Sequence, residues 1–368
     1  MTCGEIFKIL ETWAPREISS EKDNPGLQVG SGKNTVKNIL LALELNMDVI
    51  TESIAKECNL IITHHPLIYH PLKSLDFQKD ENSLLIEKLI KNDLNLFSAH
   101  TNLDYTKNGV SFELAKKLRL KEINFLLNLQ ANQYKISVFV PEDRIEKVAE
   151  AIFNAGGGII GEYSRCSFRT AGTGTFFGSD GTSPFAGKKG KTEKIGEFKL
   201  EAIADSWKVG EIISAMIDAH PYEEPAYDIY PLKNRNVNYG MGAIGELNKP
   251  MSRQEFLKYV SGKLGSKCLK YAPGKSESIK KIAVCGGAGT DLLKNAILAE
   301  ADAFVTADVK YHTFQDAQGK ILLIDAGHYE TEIHVLDRVE IELNAAAKNN
   351  FKIFKYSGST NPVIFYNN

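Results

Sequence analysis

Short apolar runs separated by helical patterns constrain the fold of this chain more than any other feature. In the first third the runs are at 39–43, 60–63 and 94–99, and helical spacing lies between them at 49–57 and 83–91. Runs of this length without polar alternation are typical of strands that are covered on both faces. Strands that alternate with helices predict a mainly parallel α/β sheet.

The pattern changes near residue 130. The order of elements becomes strand, helix, strands, helix, strand, which predicts a small ferredoxin-like α+β insertion at 130–236. The predicted elements are a strand at 133–141, a helix at 142–154, a long mobile loop at 170–194, a strand at 196–204, a helix at 208–220 and a final strand in the ending HPYEEPAYDIYPL.

The α/β pattern returns after residue 238 and weakly repeats the first third. CNLIITHHPLIYH resembles ADAFVTADVKYH, and LNLFSAHTNLD resembles ILLIDAGHYETE. The fold class is therefore predicted as two related α/β lobes, 1–129 and 237–368, that form one domain around the insertion. The elements predicted for the second lobe are strands at 282–285, 303–306, 321–325 and 352–356, and helices at 252–264, 291–299 and 329–347.

Composition excludes several other classes of protein. Lys+Arg 44 against Asp+Glu 46 gives a net charge of -2, so the chain has no strong signal for nucleic-acid binding. No apolar run is long enough to span a membrane. The five cysteines are scattered and show no C-x-x-C spacing, which favours a reducing, cytoplasmic location.

Histidines and carboxylates follow the buried strands of both lobes. They are His64 and His65, His100 with Asp104, and His328 with Glu332. Polar ends of strands in an α/β sheet usually meet at a ligand site, so these groups are expected to share one cleft. His328 and Glu332 are four residues apart and should lie on one helical face. Adjacent side chains in an extended chain alternate, so His64 and His65 are expected to point to opposite sides, where two metal ions could take one ring each.

Three imidazoles and two carboxylates exceed the needs of one catalytic zinc, which keeps three protein ligands. We therefore expect two divalent transition-metal ions, and nitrogen and oxygen ligands without thiolate favour zinc, iron, manganese, cobalt or nickel. Paired ions of this kind serve metal-assisted hydrolysis. The predicted metal ligands are His64, His65, Asp104, His328 and Glu332.

Four weaker features keep two interpretations each. His312 is a candidate general acid or base, or a helix-face histidine bonded to backbone. His100 is either a ligand or a partner that orients one. GGAGTD could direct backbone N–H groups at a phosphate or be a plain strand-to-helix turn. The lysine-rich GKKGKTEK is either solvated surface or the lining of an entrance for anions.

Taken together, six segments resemble the Nif-three-like family (NGG-one-interacting factor three), whose bacterial members are called type-two GTP cyclohydrolase I homologues. They are DNPGLQVG, THHPLIYHPL, SAHTNLD, CGGAG, ADVKYH and DAGHYETE. The resemblance implies a di-metal site on the five residues named above and a CutA-like inserted domain. It also implies a homohexamer. Glu44 departs from the family's usual Asp, and Glu330 from a usual small residue.

The resemblance leaves three functions open. The most concrete is opening of the purine imidazole ring of GTP, with release of formate. A second is phosphoester or nucleotide hydrolysis by the same metals. The third is a non-enzymatic, metal-binding regulatory protein, in which the inserted domain binds a ligand or partner. A small molecule, possibly a nucleotide, is the expected partner of the first two.

Overall fold

The computed structural model describes residues 1–347 and 351–366. The chain forms two compact units, the first made of Met1–Leu127 with Tyr239–Asn368 and the second of Asn128–Asn238. The elements up to the second unit are, in chain order, α1 (Cys3–Trp13), β1 (Gly26–Val29), β2 (Asn38–Ala42), α2 (Met47–Ala55), β3 (Leu60–Thr63), α3 (Glu81–Lys91), β4 (Asn95–Ser98), α4 (Thr101–Asp104), α5 (Val110–Lys117) and β5 (Lys121–Gln130).

The three strands predicted in the first third are confirmed to within one residue at each end. Each is buried along most of its length because its side chains are apolar on both faces. Local signals also fix the ends of α1. The Thr2 side chain accepts a hydrogen bond from the Glu5 N–H, the Glu5 carboxylate accepts one from Thr2 N–H, and the helix ends before Pro15.

The second unit is a four-stranded antiparallel sheet with two helices on one face. Its strands are hydrogen-bonded in the order β7-β8-β6-β9, which with the intervening helices is the order of a ferredoxin-like unit. Its elements are β6 (Gln133–Pro141), α6 (Ile145–Asn154), β7 (Ser167–Phe177), β8 (Thr192–Asp205), α7 (Val209–Ala219) and β9 (Tyr227–Leu232).

The prediction of a loop at 170–194 is wrong for its first residues and its last residues, which form strands. β7 runs to Phe177 and pairs with β8 along its whole length, so that only residues 178–191 connect the two strands. The glycine content of GTGTFFG suggested a loop, yet its Thr and Phe residues favour extended backbone. An edge strand such as β7 tolerates the glycines between them.

The remaining elements return to the first unit. They are β10 (Arg235–Ser252), α8 (Arg253–Leu264), β11 (Lys270–Ala272), β12 (Ser278–Val284), α9 (Leu293–Leu298), β13 (Ala303–Thr306), α10 (Tyr311–Ala317), β14 (Leu322–Asp325), α11 (His328–Glu332), α12 (Val335–Ala347) and β15 (Lys352–Lys355).

The single helix predicted at 329–347 is wrong, because the chain turns between α11 and α12. Hydrogen bonds three residues apart, such as that from Leu336 N–H to the Ile333 carbonyl, replace the α-helical pattern at this turn. The turn separates the two helices that follow β14. α11 carries His328 and Glu332, while α12 packs on a hydrophobic core.

The first unit contains two sheets with the same connectivity. Their orders are β1-β4-β3-β2-β15 and β11-β14-β13-β12-β10-β5. In each, three consecutive strands are parallel, and the strand that precedes them along the chain pairs antiparallel with the last of the three. The sheets also exchange edge strands, because β15 joins the first and β5 the second.

Helices cover both faces of each sheet, as the apolar runs predicted. α1 and α12 pack on one face of the first sheet, and α2 and α3 on the other. On the second sheet, α5 and α8 cover one face, and α9 and α10 cover the other. Among the described residues, no helix combines the length and the hydrophobicity that crossing a bilayer requires.

Candidate metal centre

Four imidazoles lie at the carboxyl ends of parallel strands from both sheets. His64 and His65 follow β3, His100 follows β4, and His328 begins α11 after β14. The His65 ring centroid is 5.3 Å from those of both His100 and His328, and 4.8 Å from that of His64. Residues from the two ends of the sequence therefore form one cluster.

All four histidines are held in the same way, through Nδ1. A backbone carbonyl can only accept a hydrogen bond, so Nδ1 of His64 carries the proton and Nε2 keeps its lone pair. Carboxylates hold the other three rings. Metal-ligating histidines usually have this kind of partner. The Nδ1 contacts are His64 with Ala99 O at 2.7 Å, His65 with Glu44 Oε1 at 3.0 Å, His100 with Asp23 Oδ1 at 2.7 Å, and His328 with Asp308 Oδ2 at 2.6 Å.

The Glu332 carboxylate lies among the Nε2 atoms. Its Oε1 is 3.1 Å from His328 Nε2, and its Oε2 is 3.2 Å from His65 Nε2. Asp104 Oδ1 is 3.6 Å from His64 Nε2, and the Nε2 atoms of His65 and His328 are 3.4 Å apart. Two ligands of a tetrahedral ion with bonds near 2.1 Å are separated by roughly 3.4 Å. These spacings therefore suit atoms that share an ion.

Three of the candidate ligand atoms are buried and lack a hydrogen-bond partner among the described residues. They are His64 Nε2, Asp104 Oδ1 and Glu332 Oε2, the last of which lies within ion-pair distance of His65 Nε2, at 3.2 Å, without forming a hydrogen bond. Most buried polar atoms in folded proteins are paired, because an unpaired one loses its hydration without compensation. A cation at this position would satisfy all three. The nitrogen and oxygen donors, with their oriented rings, fit a divalent transition metal.

The carboxylates of the cluster stabilise positive charge on the groups around them. Burial opposes ionisation of His65, but the neighbouring Glu332 and Glu44 carboxylates raise its pKa to about 10. Glu332 and Asp308 raise the pKa of His328 to about 9. Burial raises the pKa of Asp104 to about 7 against the attraction of His64, whereas the surrounding imidazoles hold the pKa of buried Glu332 well below its usual range. Bound cations would replace the protons that these groups otherwise attract.

The prediction that the side chains of His64 and His65 point to opposite sides is wrong. Both rings face the same cluster, at 4.8 Å, instead of pointing to opposite sides. β3 ends at Thr63, so the two histidines lie in a bend where the alternation of an extended strand does not apply. How the two rings divide between ions stays a prediction.

The GGAGTD turn packs against the cluster. A Cβ on Gly287, whose φ is +61°, would lie 2.2 Å from Glu332 Oε1 and 3.2 Å from His328 Nε2. Only glycine fits here. Gly287 N–H donates to Thr331 Oγ1 and Gly289 N–H to Thr306 Oγ1, so these N–H groups are not directed at a phosphate.

Sequence reasoning missed the carboxylates that orient the rings. Asp23 lies in the DNPGLQVG segment and Asp308 in the loop after β13, and nothing in their spacing connects them to a histidine. The position of Asp308 in the sequence could have revealed it, because Asp308 also follows a predicted parallel strand. Glu44, noted above as a departure from the family pattern, also orients a ring and accepts a hydrogen bond from Thr360 Oγ1.

Two further residues are placed as follows. His100 has the same Nδ1 arrangement as the other three histidines and forms a potential ligand group with His64 and His65, so we add it to the candidate ligands. His312 is exposed on α10, where its Nδ1 lies 3.0 Å from Gln315 Oε1 and its ring contacts Tyr311. The role of His312 stays a prediction.

The fold and the site define a mixed α/β protein with histidines and carboxylates at the carboxyl ends of its parallel strands. Comparison with known proteins identifies the family. Residues 1–362 match the family described as Duf34/NIF3 (NGG1p interacting factor 3). The chain belongs to this family.

Curated relatives cover most of the chain. A protein of Halalkalibacterium halodurans, named GTP cyclohydrolase 1 type 2 homolog, is 39% identical over 325 residues, which are 88% of this chain and 87% of that protein. A Bacillus subtilis protein of the same name is 37% identical over 366 residues, 98% of each chain.

Solved structures show the same fold. A Bacillus cereus protein related to NIF3 has 35% identity and a TM-score of 0.85, with 100% of this chain and 99% of that chain covered. A Staphylococcus aureus protein has 28% identity and a TM-score of 0.79 at the same coverage.

Proposed function

We propose that this protein is a hydrolase that uses two divalent transition-metal ions, held by His64, His65, Asp104, His328 and Glu332, with His100 as a further candidate ligand. The observation that carries the proposal is the set of three buried, unpaired ligand atoms among four rings whose Nδ1 atoms are fixed. Zinc, iron, manganese, cobalt and nickel all suit these donors.

Two such ions would supply a water of lowered pKa and a positive charge that polarises the substrate. The protein contributes the geometry. Glu44 and Asp308 hold the Nδ1 side of His65 and His328, so that each Nε2 faces the cluster. Gly287 leaves room for Glu332, and burial of Glu332 keeps its carboxylate out of bulk solvent.

The substrate class rests on the relatives, which are named as GTP cyclohydrolase 1 type 2 homologs. The most concrete version of the proposal is opening of the purine imidazole ring of GTP with release of formate, and His312 is its candidate proton donor. Hydrolysis of a nucleotide phosphoester is the alternative that uses the same ions. A CutA-like identity for the second unit and a homohexameric assembly are further parts of the proposal.

A product assay on metal-loaded protein tests the proposal. GTP and a panel of other nucleotides are incubated with each metal, and formate and phosphate are measured separately. Formate from GTP that disappears in Glu332→Gln supports the cyclohydrolase version, and phosphate that disappears in the same variant supports phosphoester hydrolysis. Glu340→Gln, on α12, is the matched control. Neither product, from protein shown to hold its metal, would overturn the enzymatic function and favour the regulatory alternative.

A further inference from the structure

The second unit contains a cavity of about 780 Å³ that includes none of the metal-centre residues. One wall is the face of the sheet opposite the two helices, and segments 178–186 and 222–226 contribute other walls. Cavities of this size hold drug-sized or nucleoside-sized ligands. The elements that line it belong to the second unit alone.

Two glycines leave the backbone of β7 bare within this wall. A Cβ on Gly172 would meet nothing within 4 Å, so the space above it is open. A Cβ on Gly174 would lie 1.9 Å from Glu197 Oε2, which shows that this carboxylate leans over the glycine. A flat group could therefore lie against the strand beside Glu197 without meeting a side chain of β7 at these positions.

A chain of hydrogen bonds fixes the Glu197 carboxylate. His220 Nε2 lies 3.0 Å from the Phe139 carbonyl, which only accepts, so Nε2 carries the proton and Nδ1 accepts from Tyr222 N–H at 3.1 Å. Tyr222 then donates its hydroxyl to Glu197 Oε1 at 2.8 Å. The Tyr222 bond occupies Oε1, and Oε2 of Glu197 forms no hydrogen bond with the described residues, so it is available to a ligand.

The other lining residues define the chemistry of the ligand. Phe139, Phe176 and Phe185 line the cavity, and the Phe185 ring centroid is 6.2 Å from that of Tyr222, so the walls suit an aromatic or planar group.

The charges of the lining are mainly negative. Glu223 and Glu224 line the cavity together with Glu197. The one lysine of the lining, Lys199, is paired with Glu201 at 3.1 Å. A phosphate would meet net repulsion here, whereas a cation or a group with N–H donors would be attracted.

We propose that this cavity binds a small planar ligand that presents adjacent N–H donors to Glu197, such as an amidinium, a guanidinium or the amino-substituted edge of a guanine base. Paired N–H donors match a carboxylate, and charge assistance strengthens the contact. The proposal adds a second ligand site to the protein and does not depend on the hydrolase function, since none of its residues is a proposed metal ligand.

The test uses the full-length protein and two probes of equal size and opposite charge, benzamidine and benzoate. Saturation-transfer NMR at millimolar probe concentration detects binding, and titration gives dissociation constants. Guanosine is a third probe that distinguishes a nucleobase edge from a free amidinium. The variants are Glu197→Gln, which removes the charge, and Gly172→Val, which fills the open space over β7. Glu211→Gln, on α7, is the control for the same change outside the cavity.

Binding of benzamidine but not of benzoate supports the proposal when Glu197→Gln and Gly172→Val each weaken it about tenfold or more and Glu211→Gln leaves it unchanged. Binding of neither benzamidine nor guanosine overturns it. Equal binding of benzamidine and benzoate, or unchanged binding in Glu197→Gln, also overturns it. Because the readout is probe binding, this result is independent of metal content and of catalysis.

Discussion

The metal centre and the cavity of the second unit both concentrate negative charge, but they arrange it differently. At the candidate metal centre, the proposed ligand atoms come from two sheets, three of them are buried without a hydrogen bond, and His64 is only 2% exposed. In the cavity the Glu197 carboxylate is fixed at one oxygen and available at the other. Buried donor atoms without hydrogen bonds suit a cation, whereas an accessible carboxylate beside bare backbone suits an organic ligand.

The largest expected effect is a loss of metal affinity that leaves ligand binding in the cavity unchanged. His64→Ala removes a buried imidazole that we propose as a ligand and whose Nδ1 is held by the Ala99 carbonyl, so metal affinity should fall by at least about a hundredfold. Benzamidine binding in the cavity should not change. Inductively coupled plasma mass spectrometry measures the metal content. NMR titration of the same sample measures benzamidine binding. Retention of metal by this variant would remove His64 from the ligand set.

The second effect is steric and specific to the metal centre. Gly287→Ala places a Cβ where Glu332 Oε1 now lies, and at a positive φ that disfavours alanine. We expect metal affinity to fall by about ten- to a hundredfold. Gly262→Ala on α8, where a Cβ would meet nothing within 4 Å, is the matched control. Equal affinity in both variants would show that Glu332 does not need its present position.

The smallest effect tests how the rings are oriented. Asp308→Asn replaces the carboxylate 2.6 Å from His328 Nδ1 with an amide of the same shape, and the expected loss of metal affinity is about tenfold. Asp316→Asn, on the exposed side of α10, should have none. A competitive chelator titration measures both. An unchanged metal dissociation constant in Asp308→Asn would mean that the His328 ring is positioned by packing alone.

The sequence predicted much of this architecture because buried strands have a strong local signature. The strands that precede His64, His65 and His100 were placed to within one residue, and the i, i+4 spacing correctly put His328 and Glu332 on one face. Convergence of the two lobes was inferred from the polar strand ends. These features depend on short-range periodicity, which a sequence shows directly.

Other features depend on tertiary contacts that no local pattern encodes. Asp23 meets His100 across 77 residues, so only the folded chain reveals the pair. β7 was predicted as loop because its glycines were counted as turn formers, although pairing with β8 determines its structure. The helix after β14 was predicted as one element because its apolar residues continue through the turn near Ile333.

The most direct test of the account is the number of metal ions per chain in protein purified without added metal or chelator. Plasma mass spectrometry, combined with an accurate protein concentration, should give about two transition-metal ions per chain. In Glu332→Gln, which preserves side-chain shape but removes the central charge, the number should fall below one. A wild-type protein with no transition metal that also takes up none on reconstitution, or a Glu332→Gln variant that keeps two ions, would contradict the account.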